Sequence, residues 1–173
     1  AYRLAPADPQ VRTTVAETAE RAGAHAALVQ LYRDRLKSSD VDSVEKTELR
    51  RRIASIAGEK LGATGDAIVE LKEILAEDPR DVEALDVLGR LYRVEGKAKE
   101  LRDLYDHRLA HTEAPSERWV LLSEVAELEE TLLEDSEAAA RRYRAILEID
   151  DMDPEALRAL DRLPKQGDRA PWM

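Results

Sequence analysis

The chain has no cysteine, no phenylalanine and no asparagine in 173 residues. Without cysteine it has no disulfides, no thiolate metal sites and no thiol nucleophile. Aromatic residues are scarce at 4%, and no stretch shows the alternating, β-branched pattern of a strand. No apolar run approaches the roughly 20 residues that a membrane-spanning helix needs. Positive charge is in deficit, with 27 Lys and Arg against 37 Asp and Glu and a net charge of −10. That balance favours solubility and opposes attraction to nucleic acid or to an anionic membrane. There is no G-x-S-x-G elbow and no Cys-His pair, so the chain is expected to be non-catalytic and to need no cofactor. It starts at Ala1 without an initiator Met and shows no basic-then-apolar leader; the sequence leaves the compartment open, with the cytoplasm as the default expectation.

What is present is 43% apolar and 37% charged residues, a mixture dominated by Ala, Leu, Glu and Arg that reads as long amphipathic helices. The length suits one domain, or a segment of a longer array, with a continuous core. A helical unit also recurs. Gly23, Leu28, Leu31, Tyr32, Arg35, Leu36, Ser43 and Leu49 reappear 73 positions later, from Gly96 and Leu101 through Tyr105 and Arg108 to Ser116 and Leu122. After a one-residue slip, Ala54, Ala67, Ile74, Leu75, Asp78 and Ala84 reappear 72 positions on, as Ala126, Ala139, Ile146, Leu147, Asp150 and Ala156. Self-similarity at this period marks a stacked-repeat protein, in which each unit buries its apolar face against its neighbours.

Periodicity and breakers divide the chain into about nine helices. The first is expected over 9–21, opened by Asp8-Pro9 and ended by Gly23. The second covers about 24–37. The third follows Asp42, with Glu45 completing a capping box, and extends to about Leu61. Gly62 and Gly65 form a turn before a fourth helix that Asp78-Pro79 ends. The fifth, 80–95, stops at Gly96, and the sixth, 98–111, echoes the second. A seventh opens at Pro115 and runs to about Leu133, an eighth covers 136–149, and Asp153-Pro154 launches a ninth that Pro164 halts. Short loops imply that consecutive helices pack antiparallel.

Leu85-x-x-Leu88-Gly89-x-x-Tyr92 resembles the first-helix signature of a tetratricopeptide repeat. Ala67-x3-Leu71 ending at Pro79, and Ala139-x3-Tyr143 followed by Ile146, resemble the second-helix signature. Departures accompany them: Leu101 stands where a small alanine belongs, and Ala126 and Gly58 replace aromatics. The resemblance implies an all-α, right-handed α-solenoid of about four antiparallel helix hairpins. It would form a single repeat domain over 1–163 with a flexible tail over 164–173. Similar arrays occur in large bacterial repeat proteins, and the excess of Arg over Lys fits a GC-rich genome.

The resemblance also implies a protein-protein interaction scaffold whose first helices line a concave groove that takes an extended peptide or a partner helix. The side chains expected on that groove are Arg52, Glu59, Asp86, Arg90, Arg93, Glu124 and Glu127. The family's carboxylate clamp relies on two asparagines, so their absence excludes that mode of binding. Two alternatives stand beside this reading. In one, the chain is a structural segment of a larger assembly that self-associates through end helices, because Leu157, Leu160 and Leu163 lack a following hairpin. In the other it is a metal-binding helical protein.

The metal candidate is His107 and His111, four apart on one helix, with Asp103, Asp106 and Glu113 nearby. The pattern H-E-x-x-H fails, and both lie near a helix end where a cation is favoured by the dipole. Asp150, Asp151 and Asp153 lack the glycine and glutamate of a calcium loop and read as caps and turn residues. Glu124, Glu127, Glu129, Glu130 and Glu134 read as a solvated acidic face. Arg50-Arg51-Arg52 and Arg141-Arg142-Arg144 are the basic clusters, each expected among acids and not on nucleic acid. Trp172, near the end of the chain, is a candidate anchor or partner contact.

Overall fold

The computed structural model describes residues 9–163, and every regular element among them is helical. Among the described residues there are nine α-helices: α1 (Pro9–Arg21), α2 (His25–Leu36), α3 (Ser43–Ser55), α4 (Thr64–Glu77), α5 (Val82–Val94), α6 (Ala98–His111), α7 (Pro115–Thr131), α8 (Ser136–Leu147) and α9 (Pro154–Arg162). A single π-helical turn, Ile56–Lys60, continues α3. The chain divides into two units, Ala1–Leu91 and Tyr92–Met173. The expected cap Asp8, the stop at Pro164 and the tail with Trp172 lie outside the described residues.

In the first unit α1 packs on α2, α2 on α3, and α3 on α4. The seam between them is Leu28, Val29 and Tyr32 of α2 against Leu49 and Ile53 of α3, with Val41 of the connecting turn. Val11, Val15 and Ala19 of α1 close it on one side. In the second unit α6 packs on α7, α7 on α8 and α8 on α9. There Leu101, Leu104, Tyr105, Leu122, Val125, Ala139 and Ile146 are buried. These are the positions that the three-and-four spacing places on one helical face.

The internal repeat is written in the helix ends. Gly23 and Gly96 both take positive φ, 64° and 65°, and each is followed by the same wide closing bond. Ala24 donates to the Ala19 carbonyl at 2.8 Å, and Lys97 to that of Tyr92 at 2.9 Å. This left-handed C′ residue satisfies carbonyls that the last turn leaves open, and glycine adopts it without a Cβ penalty. A second matched pair ends α3 and α7. Gly62 has φ 62° and Glu134 φ 53°. Leu61 donates to Ile56 and Leu133 to Leu128, both at 3.1 Å, while Ala63 donates to Ala57 and Asp135 to Glu129, both at 2.8 Å.

Several expectations shift in detail. The one-residue slip between units lies in the turn after α2 and not inside α3, because Ser43 and Pro115 open their helices 72 residues apart. Ile53 and Val125, then Ala54 and Ala126, keep that spacing, all four buried. Gly65 belongs to the first turn of α4 and not to the preceding loop. The cap of α5 is Asp81, whose Oδ1 accepts from the Ala84 amide at 2.8 Å. Asp42 does cap α3 through the Glu45 amide at 2.8 Å. Leu163, expected on an uncovered face, is 7% exposed, whereas Leu157 is 45% exposed.

Candidate functional site

Many charged side chains among the described residues of the first unit are tied to one another. The Arg35 guanidinium is buried and gives Nε and a terminal nitrogen to the two oxygens of Glu45, at 3.0 and 2.9 Å, and its other terminal nitrogen to Asp40 at 2.8 Å. Hydrogen bonding to Glu45 raises its pKa despite burial, and the hydrogen bond from Arg35 lowers that of Asp40. Arg50 reaches Glu70 at 3.1 Å and Glu73 at 3.2 Å. Arg33 approaches Glu70 at 3.7 Å and Asp66 at 3.0 Å. Arg51 grips Asp81 and Glu83 with its two terminal nitrogens. The basic cluster is therefore neutralised in place, as expected from its acidic surroundings.

The second unit reverses one of these devices. Asp106 stands 73 residues after Arg33, and Arg142 stands 72 after Glu70. Arg142 contacts Asp106 at 2.8 Å and the buried Glu129 at 3.0 Å, so the pair survives with its signs exchanged. Burial would lower the Arg142 pKa, but hydrogen bonding to Glu129 and the charges of Glu129 and Asp106 leave it raised. The acidic face expected over 124–134 is thus corrected at two positions. Glu129 is 1% exposed and held by Arg142. Glu130 accepts from the Tyr143 hydroxyl at 3.0 Å and from Arg162 at 2.6 Å.

An open pocket of about 180 Å³ lies between α7, α8 and α9. From α7 come Trp119, Ser123, Glu124 and Glu127, from α8 Tyr143 and Ile146, and from the start of α9 Asp153 and Glu155. Asp153 is buried, and its Oδ1 caps α9 through the amides of Glu155 at 3.1 Å and Ala156 at 2.8 Å. Its Oδ2 accepts from the Trp119 indole N–H at 3.1 Å. Ser123 turns its hydroxyl back to the Trp119 carbonyl at 3.0 Å. Burial, with Glu130 as acceptor, pushes the Tyr143 phenol up to about 12. The surface is acidic and partly aromatic.

Of the expected groove residues, Glu124 and Glu127 meet at this pocket. Arg93 joins Glu124 at 3.6 Å, hydrogen-bonds the Tyr105 hydroxyl and lies 5.8 Å from that ring's centroid. Burial, with Glu124 as acceptor, pushes Tyr105 up to about 12. Arg52 binds Glu48 one turn back at 2.6 Å, and Glu59 accepts from Ser55 at 3.3 Å. Asp86 and Arg90 are exposed on α5. Trp119, Ser123, Asp153 and Glu155 were not among the expected site residues. The signal for Asp153 and Glu155 is the 72-residue recurrence that takes Asp81 to Asp153 and Glu83 to Glu155.

His107 and His111 pack ring on ring, with centroids 4.6 Å apart, and His111 Nδ1 lies 2.8 Å from the His107 carbonyl. Among the described residues no three His, Cys, Asp or Glu side chains are placed to hold a metal ion. Of the candidate third ligands, Asp103 is held by Arg102 and Asp106 by Arg142. Asp150 and Asp153 accept backbone amides at the turn and cap before α9. Among the described residues no helix is long and apolar enough to cross a membrane.

No family model matches the chain, and no curated protein matches it. Among solved structures it is similar to a thermophilic tetratricopeptide-repeat (TPR) protein of Thermus thermophilus. The identity is 18%, over 92% of this chain and 84% of that one, with a TM-score of 0.40. A likeness of that size bears on neither partner nor activity.

Proposed function

We propose that the chain is a non-catalytic, tetratricopeptide-like scaffold for protein-protein interaction, receiving a peptide or a partner helix on the first helices of its hairpins. The observation that carries this reading is the convergence of Glu124 and Glu127 on one open, partly aromatic pocket that also exposes the start of α9. Open surface with charged and aromatic groups suits a chain partner better than a small enclosed substrate. In the first unit the contact residues would be Arg52, Glu59, Asp86 and Arg90. In the second they would be Arg93, Glu124 and Glu127. Such a charged surface predicts modest affinity and strong salt dependence.

Affinity capture with the full chain, mass spectrometry and titration of the purified partner test this. Arg90→Ala with Arg93→Ala, and Glu127→Gln, are each expected to weaken binding several-fold. A partner indifferent to all of them would overturn the assignment of the surface. A second reading, stacking of a further repeat on α9, draws on one contrast: Leu85 is 6% exposed, and Leu157, 72 positions later, is 45% exposed. If that reading held, Leu157→Glu would abolish self-association in size-exclusion chromatography.

A further inference from the structure

Within the first unit, Asp81 and Glu83 at the start of α5 hold the guanidinium of Arg51, which reaches them from α3. The 72-residue recurrence carries Asp81 to Asp153, Glu83 to Glu155 and Arg51 to Ser123. The first two equivalences preserve the chemistry: both aspartates cap their helix through the amide three residues on, each at 2.8 Å. The third removes it. Where the first unit supplies its own arginine, the second has a serine, and the space beside it is the open pocket.

Trp119 takes over one of the lost bonds by donating its indole N–H to Asp153 Oδ2. A neutral donor satisfies the geometry of that oxygen without cancelling the charge. Glu155 and Glu127 border the same pocket, both exposed, and neither makes an ion pair among the described residues. Glu124 is shared with Arg93 at 3.6 Å. The opening is bordered by α7 and the start of α9, with Asp153 buried at its edge, the exposed Glu155 beside it, and an aromatic wall that favours a planar cation.

We propose that this pocket is a receptor site for an arginine side chain of a protein partner, whose guanidinium occupies the place that Arg51 fills in the preceding repeat. The site rests on the scaffold reading above and specifies the chemistry of its partner. Guanidinium is preferred to ammonium because its planar fork can meet Asp153 and Glu155 together, as the Arg51 fork meets their counterparts.

The test uses hexa-arginine as the probe on the full chain with Trp172→Phe, so that Trp119 is the only indole, read by fluorescence and by calorimetry. Hexa-arginine is expected to bind and shift the Trp119 emission, with hexa-lysine several-fold weaker. Ser123→Arg should fill the pocket from within and cut hexa-arginine affinity at least tenfold while raising the melting temperature. Glu155→Gln and Glu127→Gln should each weaken binding about threefold or more. Glu148→Gln, at the exposed C-cap that follows α8, makes the same one-unit change in charge as Ser123→Arg and should have little effect.

Equal losses from Ser123→Arg and Glu148→Gln would overturn the site and reduce the binding to general attraction by an acidic chain. Absence of hexa-arginine binding would overturn it as well. Either result leaves the scaffold reading to its own test, since a captured partner sensitive to Arg90, Arg93 or Glu127 would still bind that surface by other chemistry.

Discussion

Trp119 and Asp153, 34 residues apart, are joined by an indole N–H that donates to a carboxylate oxygen at 3.1 Å, while the other oxygen of the same carboxylate caps α9. One buried side chain thus starts a helix and fastens it to α7. Asp153→Ala removes the cap and strands the indole N–H, for a loss of about 2–4 kcal/mol from the two contributions together. Trp119→Phe keeps most of the packing, forfeits the hydrogen bond and costs about 1 kcal/mol for that bond. Urea unfolding of both variants checks the order, and a larger loss from Trp119→Phe would contradict it.

The Arg35 cluster offers a second measurement. Its side chain is 3% exposed and spans Glu45 and Asp40, so Arg35→Met leaves the partly buried Glu45 carboxylate without that cation. Hydrogen bonds to charged groups contribute about 1.5–3 kcal/mol, and a loss in that range is expected in denaturant titration. Pairing Arg35→Met with Glu45→Met should recover much of it, because no buried charge then remains.

Glu129 and Arg142 predict the same non-additivity more strongly. Glu129→Ala or Arg142→Ala breaks a pair whose carboxylate is almost completely buried, and about 3–5 kcal/mol is expected for the removal of Glu129's partner. A double-mutant cycle measured by chemical unfolding should show the double variant less destabilised than the sum of the singles.

Alkaline stability follows from the phenols. Tyr105 and Tyr143 are pushed up to about 12 in the folded chain, first by burial and then by a carboxylate acceptor. Below about pH 10 both folded and unfolded phenols are protonated, and their contribution to stability is complete. Between about pH 10 and 12 the unfolded chain ionises first, so stability falls as pH rises through this window. Melting temperatures from about pH 8 to 12 should decline above roughly 10, and Tyr143→Phe should soften the decline.

Backbone conformation supplies a stabilising substitution. Glu134 holds φ at 53°, where its counterpart 72 residues earlier is Gly62 at 62°. An L-residue there costs roughly 1–2 kcal/mol, so Glu134→Gly should stabilise the protein by about 1 kcal/mol. Gly96→Ala, at φ 65°, should destabilise it by a similar amount. Thermal melts of the two variants should move in opposite directions.

The helices and their breakers were legible because the apolar faces repeat at helical spacing and many ends carry a glycine, a proline or a capping aspartate. Gly23, Asp42, Gly96, Pro115 and Asp153 all act where the sequence places them. Pairings between helices were not legible. Glu129 looks like one more surface glutamate until Arg142, thirteen residues on and in another helix, is brought against it. Leu49 and Leu122 matched by type, yet helix starts 72 residues apart align Leu49 with Leu121, both buried. The pocket was half visible: Glu124 and Glu127 were expected, but the exchange of Arg51 for Ser123 acquires meaning only when Asp81 and Asp153 are seen as the same cap.

The exchanged signs of Arg33 with Glu70 and Asp106 with Arg142 carry a consequence for assembly. Near-copies of one hairpin within a chain invite helix-exchange errors, in which a helix docks on the wrong sibling. Here, α2 set against α8 would oppose Arg33 to Arg142, and α6 set against α4 would oppose Asp106 to Glu70. Each mistaken partnership meets like charges at the point where the correct one closes an ion pair, so the repeat carries its own proofreading.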